Sequence, residues 1–238
     1  MRRIAFCLAL FLAAFSGVPT RAETVDLHLV LAADVSRSVD DDEFKLQREG
    51  YAAAFNDPRV LRAIRSGGLG KIAVTYFEWS GELAQKVIVD WTVVGDEESA
   101  AGFAADLLRA PRPFADRTAI GVAIDHAMGL FARSSHESKR RTIDVSGDGT
   151  NTNGTPAEVA RDRAVAQGVT VNGIVILSPV PMPWNPWHTH PPGGLENWYR
   201  EHVTGGPGSF TMVADDFQSF AYAIANKLIR EIADAGAN

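Results

Sequence analysis

An apolar run is followed at alternate positions by three oxygen-bearing side chains, Asp34, Ser36 and Ser38. The run, residues 25–33, has the length of one buried strand and is too short to span a membrane. Because alternate side chains of an extended chain point the same way, one carboxylate and two hydroxyls can face a single point. Such oxygen donors suit Mg²⁺, Mn²⁺ or Ca²⁺. The same residues also allow a plainer interpretation, in which Asp34 or Ser36 caps a following helix.

Two later segments offer oxygen donors of the same kind. Thr118 lies in the segment D-R-T-A-I-G of residues 116–121, which opens a helix predicted to run to about residue 132. Asp148 lies in the segment T-I-D-V-S-G-D-G of residues 142–149, a short predicted strand that ends in Gly-Asp-Gly. Each segment also has an ordinary structural interpretation, because Thr is a common helix cap and Asp-Gly is common where a strand meets a turn.

In this order and spacing, the three segments resemble the metal-ion-dependent adhesion site (MIDAS) of the von Willebrand factor A domain, which reads D-x-S-x-S, then Thr, then Asp-Gly. The resemblance is closer still to a group of secreted bacterial A-type domains, the domain of unknown function 1194. It is carried by R-T-A-I-G at residues 117–121, I-D-V-S-G-D-G at 143–149 and G-G-P-G-S-F at 205–210. One departure is Gly147, where many relatives have Thr, but that position supplies no metal ligand.

The resemblance implies roles for five residues. Ser36, Ser38 and Thr118 would bind a divalent metal directly through their hydroxyl oxygens. Asp34 and Asp148 would hold the metal directly or through water. The implied ion is Mg²⁺, with Mn²⁺ or Ca²⁺ as alternatives. A carboxylate from a protein partner would complete the coordination, because few charged ligands leave the metal electrophilic enough to prefer an anion over water.

The order of strand-like and helix-like segments predicts the fold that positions these residues. Apolar, β-branched runs alternate with segments of helical periodicity, which is typical of a parallel sheet covered by helices on both faces. We therefore expect a doubly wound, mostly parallel α/β domain of six strands, similar to the von Willebrand A and Rossmann-like folds. A short link at residues 80–82 predicts a hairpin between strands 72–79 and 86–93, and hence one antiparallel edge strand. Ligands bind such folds beyond the carboxyl ends of strands, where the strand order reverses.

The first residues are typical of a secretory signal peptide. Two arginines precede an apolar segment of residues 4–16, which is shorter than the roughly 20 residues that a membrane span requires. We expect residues 1–22 to be cleaved and residues 23–238 to form a single von Willebrand A-like domain in the periplasm or outside the cell. The one cysteine, Cys7, lies in the cleaved part, so the mature chain would form no disulfide and would depend on its core for stability.

Net charge argues against nucleic acid as the partner. The formal charge of −6 becomes −9 without the three arginines of the first 22 residues. An acidic protein is repelled by phosphate backbones and by anionic lipid. The protein partner is what the resemblance to the von Willebrand A domain implies.

A long connecting segment, residues 178–197, follows the fifth predicted strand and should emerge at the same edge of the sheet as the three metal-binding segments. It is too long for an ordinary connection, and such segments are usually functional or disordered. Trp184 and Trp187 give it apolar mass, and tryptophan is enriched at binding hot spots. We predict that these two rings, with His188 and His190, contact the partner. The alternatives are that the rings pack on the body of the domain and that the segment is an irregular loop without function.

The sequence lacks the usual combinations of a nucleophile and its base. No G-x-S-x-G, H-E-x-x-H or P-loop pattern is present, and no His or Lys adjoins the three metal-binding segments in the sequence, so no proton shuttle is evident. Asp34 lacks the second Asp two residues on that phosphatases carry. We predict a binding protein rather than an enzyme. A metal-dependent hydrolase of the phosphoesterase kind and a metal-independent envelope scaffold are the alternatives.

Overall fold

The computed structural model of the protein describes residues 22–233. The predicted signal peptide, residues 1–22, therefore lies outside the described residues except for Ala22. In chain order the elements are β1 (Glu23–Thr24), β2 (His28–Asp34), α1 (Asp41–Phe55), α2 (Pro58–Arg65), β3 (Ile72–Trp79), β4 (Gln85–Val94), α3 (Glu97–Arg109), α4 (Ile120–Arg133), β5 (His136–Glu137), β6 (Arg141–Gly147), α5 (Ala157–Ala166), β7 (Thr170–Ile176), α6 (Pro186–Thr189), α7 (Leu195–His202), β8 (Thr211–Ala214) and α8 (Phe220–Ala233).

Six strands form the central sheet in the order β4-β3-β2-β6-β7-β8. All neighbours are parallel except β3 and β4, which form the antiparallel hairpin at the edge. The predicted six-stranded, doubly wound α/β fold is confirmed. The chain leaves β2 toward β3 on one side and later returns to place β6 on the other side, so the strand order reverses between β2 and β6. Their carboxyl ends carry Asp34 and, one residue beyond Gly147, Asp148.

The two faces of the sheet bury separate hydrophobic cores, and β2 contributes to both. Leu29 and Leu31 face a core built with helices α1, α2, α3 and α8, whereas Val30 and Ala32 face a core built with α4, α5 and α7. A strand covered on both sides has no polar face, which is why its sequence is continuously apolar instead of alternating. This double cover holds the carboxyl end of β2 rigidly for the loop that follows.

The connecting segment after β7 is more regular than its sequence suggests. It contains the short helix α6, and the longer helix α7 begins at its end after Gly193 and Gly194, whose φ angles of 82° and 85° favour glycine. Buried Leu195 and Tyr199 anchor α7 on the sheet. Neither helix was predicted, nor was the small parallel sheet of β1 and β5. Helices of four and eight residues complete about two turns at most, and β1 and β5 have two residues each, so none of these elements shows a recognisable periodicity in the sequence.

Within residues 22–233, no helix combines the length and the apolar character that crossing a bilayer requires.

Candidate metal centre

The five predicted metal-binding residues lie together at the carboxyl edge of the sheet. The hydroxyl oxygens of Ser36 and Ser38 are 3.1 Å apart, and Thr118 Oγ1 is 3.2 Å from Ser36 Oγ. Ser38 Oγ donates a hydrogen bond of 2.6 Å to Asp148 Oδ1. Asp34 is fully buried, and Ser38 is the one member that is half-exposed. Residues that are up to 114 positions apart in the sequence therefore form one compact group of oxygen donors.

These side chains are not helix caps. Helix α1 is capped by Asp40, whose carboxylate accepts a hydrogen bond from the backbone N–H of Glu43 at 2.8 Å, and the Glu43 carboxylate accepts one from the Asp40 N–H at 2.9 Å. Helix α4 begins after Ala119 without a side-chain cap, so Thr118 is not its cap either. The capping interpretation of Asp34, Ser36 and Thr118 is thus excluded, and their oxygen atoms converge on one another instead.

The loop after β2 is held in shape by one carboxylate and one guanidinium. Asp34 Oδ1 accepts a hydrogen bond of 2.7 Å from the backbone N–H of Ser36, which turns the chain at the end of the strand. Nη2 of Arg112 donates to the carbonyl oxygens of Val35, Ser36 and Val39 at 3.0, 3.2 and 2.7 Å. Three bonds from one planar group fix the path of the loop, so the two serine hydroxyls are positioned before any ligand arrives.

The surroundings of Gly147 explain why a glycine replaces the threonine of the usual motif at this position. A Cβ atom there would lie 2.4 Å from Tyr199 Oη and 3.1 Å from Asp34 Oδ2. The tyrosine of α7 thus occupies the space that a threonine side chain would need. Both Tyr199 Oη and Asp34 Oδ2 are buried and have no hydrogen-bond partner among the described residues. A buried carboxylate oxygen without a partner is costly, and a bound cation would satisfy it.

Burial and mutual repulsion act on the two carboxyl groups. Desolvation, followed by the charge of Asp148, raises the pKa of Asp34 well above its ordinary value. Desolvation also raises the pKa of Asp148 to about 6, with a further contribution from Glu43, while the hydrogen bond from Ser38 opposes the shift. The metal-free site therefore disfavours two negative charges, and a divalent cation would remove that penalty.

The raised pKa of Asp148 gives a testable pH dependence. A carboxyl group whose pKa is higher in the folded state than in the unfolded state stabilises the fold fully only at a pH below its unfolded pKa. For Asp148, this stabilisation is lost as the pH rises through the folded pKa of about 6. A rise from 3.8 to about 6 corresponds to on the order of 3 kcal/mol. In EDTA, we expect wild type to lose stability relative to Asp148→Asn between pH 4.5 and pH 7.5, as measured by urea unfolding. A stability difference that stays constant across this range would contradict the shift.

A cavity of about 330 Å³ opens beside the group. Its wall combines the metal-binding loops with the segment that follows β7, and it is lined by Arg37, Ser38, Asp116, Arg117, Thr118, Thr152, Met182, Trp184, Asn185 and His188. Trp184 is 75% exposed and Trp187 is 66% exposed, so both rings are accessible. His190 is also exposed, and its Nδ1 lies 2.9 Å from the hydroxyl of its neighbour Thr189 rather than at the cavity. Of the four predicted partner-contacting residues, Trp184 and His188 line the cavity.

A histidine that is distant from the metal-binding segments in the sequence contacts them in the structure. His188 is 4% exposed, and its Nε2 lies 3.3 Å from Thr118 Oγ1. Its ring packs against Gly149, where a Cβ atom would come within 2.1–2.7 Å of the imidazole. Burial lowers the pKa of His188, which favours the neutral ring. The position of this segment directly after a predicted strand indicated which edge of the sheet it would reach, but no sequence signal identified which side chain would contact the metal-binding residues.

The chemistry of the group depends on hydroxyl oxygens. Across the described range 22–233, no three His, Cys, Asp or Glu side chains are grouped so that they could hold a metal ion on their own. A conventional zinc site of three or four such ligands is therefore absent from this part of the chain. The donors that converge here suit a hard divalent cation instead.

The family follows from a match along nearly the whole chain. Residues 24–236 match the family described as protein of unknown function (DUF1194). The chain belongs to this family. A comparison with curated proteins gave no match.

Solved structures place this DUF1194 protein among von Willebrand factor A folds. It is similar to a von Willebrand factor type A protein from Catenulispora acidiphila, with 15% identity, a TM-score of 0.60, and coverage of 89% of this chain and 43% of that one. It is also similar to proximal thread matrix protein 1 from the mussel byssus, solved with a zinc-occupied MIDAS motif. The identity is 15% and the TM-score 0.58, with coverage of 89% of this chain and 49% of that one. A third similar structure is the pilus adhesin SpaC of Lactobacillus rhamnosus GG, with 14% identity, a TM-score of 0.60, and coverage of 90% of this chain and 31% of that one. The DUF1194 chain spans less than half the length of each, and at these identities the likeness establishes the fold alone.

Proposed function

We propose that this is a secreted binding protein of the periplasm or cell exterior, which holds a protein partner through a divalent metal ion. The metal would be bound by Asp34, Ser36, Ser38, Thr118 and Asp148. The observation that carries the proposal is the convergence of three hydroxyls and two buried carboxyls beside an open cavity. Signal-peptide cleavage after residue 22 is part of the proposal and is checked by determining the N-terminus of the mature protein.

The donor spacing supports an octahedral ion. Neighbouring ligands of an octahedral Mg²⁺, each at about 2.1 Å, lie about 3.0 Å apart. The separations of 3.1 Å between Ser36 and Ser38 and of 3.2 Å between Ser36 and Thr118 are close to that value. These oxygen atoms need little movement to coordinate one ion. Mg²⁺ suits the oxygen donors, with Mn²⁺ or Ca²⁺ as alternatives, and a zinc-occupied MIDAS in the mussel protein supports a divalent ion in general.

The residues of the chain have separate tasks in partner binding. A bound divalent ion supplies an electrophilic centre that accepts a carboxylate oxygen. The three hydroxyls hold it without cancelling its charge, while Asp34 and Asp148 provide the attraction that retains it. Arg37, Arg117 and Asp116 line the cavity, and Arg37 pairs with Asp116 at 3.7 Å. The two arginines exceed this carboxylate by one positive charge, which favours the approach of an acidic partner. The similarity to a pilus adhesin agrees with a binding role.

Metal-dependent capture tests the proposal. Immobilised protein is incubated with envelope extract in Mg²⁺ and, in parallel, in EDTA. We expect a specific partner to be retained in Mg²⁺, released by EDTA and lost with Asp148→Asn. A surface variant, Asp125→Asn, serves as the matched control. A partner that is retained equally in EDTA would contradict the proposal and favour the metal-independent scaffold.

The position of His188 beside Thr118 favours the hydrolase alternative. A neutral imidazole next to the hydroxyl group of a candidate metal ligand has the properties of a general base. We expect no turnover when the metal-loaded protein is incubated with phosphoesters and peptides. Metal-dependent turnover that disappears in Asp34→Ala would replace the binding proposal with an enzymatic one.

The exposed rings of Trp184 and Trp187 lead to a prediction about partner selection. Because both are mostly exposed, replacing them together with Ala should change stability by no more than about 0.5 kcal/mol. Affinity for the partner should fall at least about tenfold, since tryptophans that become buried on binding often dominate the energy of an interface. Metal affinity should remain at the wild-type value. A large loss of thermal stability with unchanged partner binding would assign the two rings to the fold instead.

A further inference from the structure

His188 is held in place on both sides of its ring. Its backbone N–H donates to Asn185 O at 3.0 Å, and its carbonyl oxygen accepts from the Thr150 N–H at 2.9 Å. The imidazole packs closely against Gly149, and its Nδ1 is 3.4 Å from Thr150 Oγ1. Backbone bonds from two segments thus fix the ring at the wall of the cavity. This arrangement leaves Nε2 directed toward the metal-binding group and not toward solvent.

His188 Nε2 lies next to the oxygen donors, at a spacing similar to the one between them. Ser38 Oγ is 3.1 Å from Ser36 Oγ, which is 3.2 Å from Thr118 Oγ1, which is in turn 3.3 Å from His188 Nε2. Neighbouring ligands of a six-coordinate ion at about 2.1 Å lie about 3.0 Å apart. Nε2 therefore stands, relative to Thr118, at the distance of the next ligand around the ion.

We propose that His188 is a nitrogen ligand of this metal site and that it shifts the site toward zinc-class transition ions relative to Mg²⁺. The inference rests on the proposed metal site. Imidazole suits Zn²⁺, Ni²⁺ and Cu²⁺, whereas Mg²⁺ binds oxygen almost exclusively. Three hydroxyls, one directly bound carboxylate and one imidazole leave a single position of six for the carboxylate of a partner. The DUF1194 site would then select its metal by one residue contributed from the segment after β7.

A competing role for His188 makes a different prediction. If the His188 ring only hydrogen-bonds to Thr118 and orients the threonine hydroxyl group, loss of the ring would weaken the binding of all metal ions alike. Losing such an indirect contact costs about 10- to 100-fold in metal affinity. Loss of a nitrogen ligand would instead act on Zn²⁺ and spare Mg²⁺. The ratio of the two affinities separates the roles.

The experiment titrates Mg²⁺ and Zn²⁺ separately into EDTA-stripped protein by calorimetry. Wild type is compared with His188→Ala, with His188→Gln, which keeps a polar group of similar reach, and with the exposed control His190→Ala. We expect both His188 variants to lose Zn²⁺ affinity by more than the roughly 100-fold that is the upper end for an indirect contact, and to lose less than about threefold in Mg²⁺ affinity. Retained Mg²⁺ binding would also demonstrate that the variants are folded. The control should match wild type.

A spectroscopic measurement identifies the ligand directly. Electron spin-echo envelope modulation of the Mn²⁺-loaded protein detects a coordinated nitrogen, which should be present in wild type and absent in His188→Gln. Equal losses of Mg²⁺ and Zn²⁺ affinity, or unchanged modulation, would overturn the assignment of His188 while leaving the metal site intact. A wild-type protein that binds neither ion would overturn the proposed function and this inference together.

Discussion

Replacing Asp34 or Asp148 with Ala is expected to abolish measurable Mg²⁺ and Mn²⁺ binding in a protein that remains folded. The two carboxylates carry the negative charge of the five-residue group, and charged ligands supply most of the attraction for a hard cation. Thr118→Ala removes one neutral oxygen and should weaken binding less. Isothermal titration at pH 7.5, above the raised pKa of about 6 for Asp148, measures each affinity.

The fold should tolerate these changes, since both carboxyl groups are buried against their preference for water. Asp125→Ala is the matched control, because its carboxylate pairs with Arg163 at the surface at 2.6 Å, away from the site. The control should bind metal as wild type does. Unchanged affinity in both site variants would show that the ion, if any, binds elsewhere.

The variant Glu78→Ala is expected to lower the free energy of unfolding by about 3–5 kcal/mol. Glu78 on β3 is fully buried and accepts two hydrogen bonds from Arg48 on α1, at 2.7 and 2.9 Å. Tyr76 Oη donates a third at 3.2 Å. Removing the carboxylate leaves a guanidinium buried without its counter-ion, and that desolvation is the source of the large cost.

The same variant should also weaken metal binding. Arg48 donates to the carbonyl oxygens of Leu107, at 2.9 Å, and of Ala110, where α3 ends and the chain turns toward Thr118. A displaced guanidinium would release this turn. Urea unfolding and metal titration measure the two effects, with Asp125→Ala, which breaks an exposed pair, expected to stay within about 1 kcal/mol. A loss below 1 kcal/mol in Glu78→Ala would contradict the assigned role of the pair.

Much of the fold was predictable because its strong signals are local. The strand predicted at 72–79 appears in the structure with the same bounds, as β3. The helix predicted to run to about residue 132 ends at Arg133, as α4. The apolar run before Asp34 is continuous because β2 is covered on both faces. Short elements were missed for the complementary reason. In α7, two buried side chains anchor eight residues that follow a glycine pair, and this tertiary packing outweighs weak local propensity.

The site was predictable only where a motif names its residues. The D-x-S-x-S, Thr and Asp-Gly segments predicted five residues that the structure brings together. The contact of His188 with Thr118 depends on how a Pro-rich segment folds back over Gly149, and no periodicity encodes that path. The space taken by Tyr199 beside Gly147 was hidden for the same reason, although the missing threonine was visible in the sequence.

The most direct measurement is anomalous diffraction from crystals soaked in Mn²⁺. We expect the strongest anomalous peak to lie within about 2.2 Å of the hydroxyl oxygens of Ser36 and Ser38, beside Asp148 and at the floor of the cavity. The same crystals prepared from Asp148→Ala should lack that peak. A wild-type map without a peak at this position, or with its strongest peak elsewhere, would contradict the claim that this group of oxygens is a metal site.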